Sequence, residues 1–322
     1  MNSQSVTAKS WFSKEWLLEQ KSLIALLILI AVVSSMSPNF FTLNNLFNIL
    51  QQTSVNAIMA VGMTLVILTS GIDLSVGSLL ALTGAVAASI VGMEINALVA
   101  IFSALALGAV IGAGTGVIVA KGRVQAFIAT LVMMMLLRGV TMVYTSGSPI
   151  NTGFSAQADA LGWFGIGRPL GVPTPIWIMA VVFLAAWYML HHTRIGRYIY
   201  ALGGNEAATR LSGISVDKVK IVVYSLCGLL SALAGIIEVA RLSSAQPTAG
   251  TGYELDAIAA VVLGGTSLSG GKGRVFGTLI GALILGFLNN GLNLLGVSSY
   301  YQMIVKAVVI LLAVLVDNKS SK

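Results

Sequence analysis

The chain has 322 residues, of which 57% are hydrophobic and 9% are charged. Soluble domains carry about 25% charged residues, so this composition excludes a soluble protein. A formal net charge of +7 also fits nucleic-acid binding, but the basic residues are scattered between apolar runs, which favours a membrane protein. No stretch is long enough for a separate catalytic domain, and the single cysteine, Cys227, excludes an intrachain disulfide. We therefore predict one membrane domain over residues 1–322, with the lipid bilayer and not nucleic acid as its partner.

The first elements along the chain are a polar leader and a short apolar run. Residues 1–19 are predicted to form a cytoplasmic N-terminal segment. The run from Leu23 to Val33 is short enough to resemble the core of a signal peptide. The leader is long, however, it contains Trp11 and Trp16, and the rest of the chain is equally hydrophobic. We interpret this run as an uncleaved first span.

Apolar runs separated by basic loops predict an all-α polytopic membrane protein with about ten transmembrane helices. The predicted spans are residues 20–37, 53–70, 75–93, 96–119, 125–145, 174–191, 219–241, 254–268, 275–295 and 299–316. If the N-terminus is cytoplasmic, most loop lysines and arginines are cytoplasmic too, with Arg168 and Arg241 as the exceptions. The positive-inside rule therefore predicts that the N- and C-termini are both cytoplasmic.

The segment before the second span is rich in amide side chains. These amides share one helical face: Asn44, Asn45, Asn48, Gln51 and Gln52. The pattern favours a helix that lies in the membrane interface. The alternative is a platform for a partner or solute outside the membrane.

Glycine-rich patterns recur along the chain. Two runs place a glycine at every fourth residue: 108, 112, 116 and 273, 277, 281. Such ridges predict close helix packing, within one subunit or between two. The sequences GIDLSVG (71–77) and GTSLSGG (265–271) also resemble each other, and both are predicted at the cytoplasmic side. That placement does not fit a simple inverted repeat.

The longest polar interruption, residues 191–220, contains the signals of a short helix. Asn205 is a candidate N-cap, and Gly213 can supply a left-handed stop. Between them lie the first-turn acid, two small residues and a last-turn base: Glu206, Ala207, Ala208 and Arg210. A helix of six or seven residues does not hold itself together in water. The loop therefore indicates a membrane protein driven by a soluble partner that docks on this helix.

No residue pattern indicates an enzyme. GTSLSGGKG (265–273) differs from a phosphate-binding loop, since Thr266 replaces the first glycine and Gly273 follows Lys272. His191 and His192 are adjacent, which favours anchoring at the interface over metal ligation. We predict no catalytic residues, no metal and no cofactor in this chain.

Charged and amide side chains inside the spans are candidates for a solute pathway. Arg138 lies within a span, and Asp73 sits in the break at GIDLSVG, where it can accept hydrogen bonds from the next helix start. Lys306 is near enough to an interface to snorkel. The amides in FLNNGLNLLG donate and accept hydrogen bonds as sugar hydroxyls require: Asn289, Asn290 and Asn293. Structural pairing of the charges and hydrogen bonding between helices by the amides remain the alternatives.

Three long motifs resemble the sugar branch of the bacterial ABC-importer permeases. They are GIDLSVGSLLALTGA (71–85), GRYIYALGGNEAATRLSGI (196–214) and VLGGTSLSGGKGRVFGTLIGALILGFLNNGLNLLG (262–296). The resemblance runs from about residue 20 to residue 316. It implies a homodimeric permease of the bacterial inner membrane that carries ribose or a closely related sugar. It also implies a cytoplasmic ATPase with two fused nucleotide-binding domains and a periplasmic sugar-binding protein as partners.

In such permeases a cytoplasmic coupling helix fits a groove in the ATPase. The residues of this chain that stand in that pattern are Gly196, Asn205, Ala207, Ala208, Gly213 and Ile214. The predicted coupling loop also includes Arg197, Glu206 and Arg210. Two other classes remain open. A secondary transporter driven by an ion gradient would need a carboxylate relay, for which Asp73 and Glu238 are the candidates. A membrane scaffold would explain the docking loop but not the asparagines. The identity of the sugar rests on the resemblance alone.

Overall fold

The structure is a computed structural model that describes residues 14–320. The first half of that range forms the helices α1 (Lys14–Glu19), α2 (Lys21–Met36), α3 (Leu43–Leu68), α4 (Val76–Gly92), α5 (Ala97–Ala120), α6 (Ala126–Thr145) and α7 (Ala156–Ile166). The second half forms α8 (Thr174–His192), α9 (Arg194–Gly204), α10 (Glu206–Leu211), α11 (Val216–Leu242), α12 (Tyr253–Leu263), α13 (Val275–Leu294) and α14 (Ser299–Ser320). Residues 1–13 of the predicted N-terminal segment 1–19 lie outside the described residues. Lys322 also lies outside them.

Six of the described helices are long and apolar enough to cross a membrane: α3, α5, α6, α8, α11 and α13. Three shorter apolar helices accompany them: α2, α4 and the Ser299–Leu312 part of α14. Spans of this kind need roughly 20 apolar residues. The predicted all-α polytopic class is confirmed, while the count of ten spans stays a prediction.

Two helices differ from their predicted bounds by five residues or more at one end. The amide-rich segment, predicted as an interfacial helix, is continuous with the second span, so that α3 runs from Leu43 to Leu68 as one helix of 26 residues. In contrast, α12 has only 11 residues, because Gly252 and Gly265 bracket it with φ angles of 83° and 86°. Its length is about 16 Å at 1.5 Å per residue, roughly half of the hydrocarbon core of a bilayer. α12 is therefore a half-helix.

Helix α11 forms the centre of the bundle and packs against α3, α4 and α5. The predicted glycine ridge on α5 makes the closest of these contacts. A Cβ at Gly112 would collide with the backbone oxygen of Tyr224, and one at Gly116 would lie 2.8 Å from the Cα of Ile221. Gly281 of α13 meets the backbone of Ala260 in α12 in the same way. Both ridges therefore pack helices within one subunit.

One end of the bundle gathers basic residues, and we call it the basic end. One cleft at this end is lined by residues that include Lys121, Arg123 and Lys220, and a second by residues that include Lys272 and Arg274. At the opposite end, the strands β1 (Ile150–Asn151) and β2 (Ser244–Ala245) pair antiparallel, with Ile150 opposite Ala245. The strands tie the α6–α7 connection to the end of α11.

Candidate functional site

The polar loop at the basic end folds into two helices, α9 and α10, where the sequence predicts one. Thr193 caps α9, and its Oγ1 accepts a hydrogen bond from the backbone N–H of Gly196 at 3.3 Å. The predicted cap of α10 is confirmed, since Asn205 Oδ1 accepts from the N–H of Ala208 at 2.9 Å. The predicted stop also holds, because Gly213 takes a φ of 83° just past the helix.

An ion-pair network attaches α10 to the start of α11. Lys220 Nζ lies 3.0 Å from a carboxylate oxygen of Glu206, and Arg210 lies 3.2 Å from a carboxylate oxygen of Asp217. Arg210 also contacts Glu206 at 3.5 Å. Exposed pairs of this kind contribute about 0–1 kcal/mol each, so the network orients α10 more than it stabilises the fold.

The outer face of α10 is left uncovered by the rest of the described chain. Ala207 and Ala208 are exposed, and so is Arg197 of α9. Leu211, at the end of α10, is 90% exposed. Sequence analysis missed Leu211, although a lone leucine beside two alanines on a short polar helix is a signal that could have identified it. Small residues around one exposed leucine form a surface on which a partner can pack closely.

A cleft of about 780 Å³ opens beside α10. Its wall carries basic side chains from the α5–α6 connection, namely Lys121 and Arg123, and the network residues Glu206, Arg210 and Lys220. The basic residues outnumber the acidic residues Glu206 and Asp217 in this wall. The cleft and the outer face of α10 together form one surface, which we call the coupling surface.

The coupling surface is connected to the helix bundle through the end of α9. Gly203 lies against the end of α3, and a Cβ there would collide with the backbone oxygen of Leu68 and the backbone nitrogen of Gly271. The N–H of Gly271 donates to the same Leu68 oxygen at 2.9 Å. Ser70 Oγ donates to the oxygen of Ser269 at 2.8 Å. The end of α3, just before the segment 71–77, therefore meets the segment 265–271 at one contact beneath α9.

Tyr200 of α9 adds a second connection to the same place. Its hydroxyl donates to the backbone oxygen of Gly273 at 2.8 Å. Burial raises the pKa of Tyr200, an effect that the positive charge of Arg274 partly opposes. The hydroxyl therefore stays protonated and keeps donating at neutral pH. Helix α9 therefore contacts the end of α3 at Leu68 and the segment before α13 at Gly273.

Asp73 stabilises the break between α3 and α4. Its Oδ1 accepts from the N–H of Ser75 at 2.9 Å and from the Ser75 hydroxyl at 2.5 Å. The side chain is 1% exposed. The prediction that Asp73 accepts hydrogen bonds at the next helix start is confirmed. Its role in a pathway stays a prediction.

Arg138 of α6 holds the segment that precedes the half-helix α12. Its Nη1 donates to the backbone oxygens of Pro247 and Ala249 at 2.9 and 2.8 Å. A guanidinium inside a span is costly unless such acceptors surround it. Arg138 thus fixes the entry into α12, and its contact with a solute remains a proposal.

The structure places the three predicted asparagines in different surroundings. Asn290 and Asn45 exchange two hydrogen bonds between their side chains, at 2.9 and 3.0 Å. Asn293 accepts from Gln302 of α14 at 2.6 Å. Asn289 lines a cavity, which lies between α3, α12 and α13.

That cavity has a volume of about 60 Å³, and polar and apolar residues share its wall. From α3 it is lined by Gln52, Thr53 and Asn56, and from α12 by Asp256. Asp256 Oδ1 accepts a hydrogen bond from Lys306 Nζ of α14 at 2.9 Å. The alternative of structural pairing is therefore confirmed for Lys306, because its ammonium pairs with a carboxylate. We call this cavity, with its ion pair, the polar cavity.

The described residues thus form a polytopic helical bundle with a coupling surface at one end and a polar cavity between its helices. Within the described residues, no group of histidine, cysteine and acidic side chains could hold a metal ion. These features define the class of a membrane transport subunit.

Comparisons with known proteins give the family. The model of the family described as "Branched-chain amino acid transport system / permease component" matches residues 45–314, and the chain belongs to this family. It is 86% identical over 319 residues to the ribose import permease protein of Escherichia coli (strain K12), covering 99% of both chains. It is 54% identical to the ribose import permease protein of Bacillus subtilis (strain 168), covering 92% of both. It is also 40% identical to the D-allose transport system permease protein of Escherichia coli (strain K12), covering 92% of this chain and 90% of that protein. No solved structure matches the chain.

Proposed function

We propose that this chain is the transmembrane permease subunit of an ATP-driven ABC importer, and that it translocates ribose or a closely related sugar. The observation that carries the proposal is the 86% identity, over nearly the full length of both chains, to a protein named for ribose import. The 40% identity to the D-allose permease supports a pathway suited to small sugars, with ribose favoured by the higher identity. ATP hydrolysis then belongs to a separate partner chain, and this subunit is not an enzyme.

The topology proposed for the subunit has about ten spans. The six long helices, the three shorter apolar helices and the half-helix α12 add up to that number among the described residues. Lys121, Arg123, Lys220 and Lys272 gather at the basic end, which the positive-inside rule assigns to the cytoplasm. Both termini are then cytoplasmic, and residues 1–322 form one permease domain of the bacterial inner membrane.

The coupling surface is the proposed docking site for the ATPase, a chain with two fused nucleotide-binding domains. Ala207, Ala208 and Leu211 supply the packing face, and the cleft beside α10 supplies positive charge. Gly203 and Tyr200 pass the movement of the docked helix to α3 and α13. A second copy of the permease and a periplasmic sugar-binding protein complete the proposed assembly.

The proposed solute pathway passes Asn289 and the polar cavity. Asn290 and Asn293 support it by fixing α13 against α3 and α14, and Asp73 and Arg138 support it by fixing the two helix breaks. An ion-driven relay has less support, since the Asp73 carboxylate is fully enclosed and accepts both of its hydrogen bonds from Ser75.

Uptake of labelled ribose in cells tests the proposal. The host strain lacks its native permease gene but keeps the ATPase and the binding protein. Uptake is measured in this strain with and without the present chain. Each measurement is repeated under ATP depletion and under an uncoupler. Restored uptake that stops on ATP depletion but survives the uncoupler supports the proposal. Uptake that follows the ion gradient would instead establish the secondary transporter.

A further inference from the structure

The polar cavity contains buried atoms that the packing of the helices leaves without partners. Thr53 is 5% exposed, and its Oγ1 has no hydrogen-bond partner in the structure; the same holds for Asn56 Oδ1. Both atoms belong to α3 and lie one helical turn apart, at positions 53 and 56. Buried polar atoms of native proteins are nearly always paired. Two unpaired atoms in one cavity wall therefore indicate a surface built to meet polar groups of a solute.

The opposite wall of the cavity carries a charged pair. Asp256 and Lys306 are about four-fifths buried, with side-chain exposures of 20% and 22%. Ionised side chains among apolar spans are costly, and they are commonly associated with transport pathways. The pair joins the half-helix α12 to α14, and Asp256 also lines the cavity. Lys306 therefore positions a carboxylate at the place where a solute would pass.

The chemistry of the lining suits a polyol. Amide groups such as those of Asn56 and Asn289 donate and accept hydrogen bonds, a hydroxyl such as that of Thr53 does both, and a carboxylate accepts. Neighbouring sugar hydroxyls present donors and acceptors in the same mixture.

The cavity is narrow in this conformation. Its volume of about 60 Å³ has room for a few water molecules but not for a sugar ring. Gly286 of α13 faces Thr53 so closely that a Cβ at this position would collide with Thr53 Oγ1. A small displacement of α3 from α13 would open the cavity along this contact. Since Gly203 holds the end of the same α3 helix, the coupling surface can supply that displacement.

We propose that Thr53, Asn56, Asp256 and Asn289 form a polyol-binding subsite of the translocation pathway, and that Lys306 is the residue that positions Asp256. This inference rests on the proposed function as a sugar permease. The subsite is narrow here and opens when α3 separates from α12 and α13.

Transport by the reconstituted complex tests the subsite. The permease, its ATPase and the ribose-binding protein are placed in proteoliposomes, and uptake of labelled ribose is measured beside ATP hydrolysis. Thr53→Val and Asn56→Leu remove the polar atoms with little change in volume. Each is expected to lower ribose uptake at least tenfold while ATP hydrolysis stimulated by the binding protein stays within twofold. Equal losses of both activities would show that these residues only support the fold, and would overturn the subsite.

Matched variants separate the subsite from general packing. Ser54→Ala changes the neighbouring hydroxyl, which donates to the backbone oxygen of Gln51 and not into the cavity, so uptake should stay within twofold. Lys306→Arg should keep uptake within about threefold, whereas Lys306→Met should lower the ribose transported per ATP. If Thr53→Val behaves like Ser54→Ala in a complex that imports ribose, the subsite is wrong and the proposed function stands.

Thiol labelling tests whether the subsite opens during ATP turnover, and this test holds even if ribose proves to be the wrong sugar. Asn289→Cys should react with a membrane-impermeant thiol reagent at least fivefold faster during ATP turnover than at rest, because the cavity opens only then. Ser231→Cys, buried inside α11, should stay unreactive in both states. Native Cys227 is also buried, so the unsubstituted chain gives the background. Labelling of Asn289→Cys that does not change with turnover would overturn the proposed opening.

Discussion

The coupling surface and the polar cavity are built in opposite ways. The ion pairs of the coupling surface join residues close together in sequence, with Lys220 and Glu206 separated by 14 positions. The ion pair of the cavity joins Asp256 and Lys306 across 50 positions, and the nearby Asn45–Asn290 contact spans 245. The first region is exposed and its helix is capped and paired. The second lies between helices, and two polar atoms of its wall lack partners.

Under the proposed function, the first region is the one that stays fixed and the second is the one that changes shape. The helix α10 is held by its cap and its network, so it can present the same face to a partner before and after docking. The cavity depends on how α3, α12 and α13 lie against one another, so a small shift of one helix changes its volume. A rigid surface that pushes on an adjustable cavity is the arrangement expected of a permease driven from outside its own spans.

The largest effect is expected from Ala208→Trp, which alters the rigid region alone. A bulky ring on the small face of α10 should prevent the ATPase from packing there, at a cost of about 1–3 kcal/mol or more. The variant should insert normally but fail to copurify with the ATPase. Ala106→Trp, on the exposed face of α5, is the control and should copurify fully. Full copurification of Ala208→Trp would remove α10 from the docking site.

The connection between the two regions is tested by Gly203→Ala. The added Cβ meets the backbone of Leu68 and Gly271, and such overpacking costs typically about 1–3 kcal/mol. The variant should keep its ATPase but transport less ribose per ATP and melt at a lower temperature. Gly204→Ala has open space around the added carbon and should behave like the native chain. If Gly203→Ala and Gly204→Ala transport the same amount of ribose per ATP, the contact at Gly203 does not carry the movement of α9 to α3.

A moderate effect is expected from Arg138→Gln, which loosens the segment before α12. The change removes the guanidinium that donates to the backbone oxygens of Pro247 and Ala249. Leaving these acceptors unpaired costs about 1–3 kcal/mol of stability. Thermal unfolding in detergent should show the loss, and the coupling surface should still bind the ATPase. Arg138→Lys, which keeps the charge, should recover part of the stability. A native melting temperature for Arg138→Gln would show that the two hydrogen bonds do not fix this segment.

The smallest effect is expected from Tyr200→Phe. It removes one hydrogen bond to Gly273 without changing the ring, a loss of about 1 kcal/mol. Uptake should fall only a few-fold, with Tyr198→Phe on the same helix as the control. A complete loss of uptake in Tyr200→Phe would mean that this hydroxyl, and not the contact at Gly203, carries the movement of α9.

Sequence analysis predicted helix bounds well where the flanking residues are distinctive. The predicted spans 96–119, 125–145 and 174–191 lie within one residue of α5, α6 and α8 at each end. Basic residues or prolines mark several of these ends, and each span is apolar throughout. The prediction was wrong for the start of α3, because its amides look like a surface until Asn45 is seen to pair with Asn290. Tertiary contacts decided that boundary.

The same distinction holds for the candidate site. The cap of α10 could be predicted because Asn205, Ala208 and Gly213 lie within one short segment and their roles depend on local backbone geometry. The partner of Lys306 could not, since nothing in the sequence brings α14 against the half-helix α12. Thr53 has no distinctive pattern at all, and only its burial without a partner identifies it.

The most direct test of the whole account is ribose import by purified components. One set of proteoliposomes contains this permease and its ATPase and is supplied with ribose-loaded binding protein. A second set contains the permease alone and is placed under an imposed proton or sodium gradient. We predict ATP-dependent accumulation of labelled ribose in the complete system and none with the permease alone. Accumulation by the permease alone, driven by the ion gradient, would contradict the account.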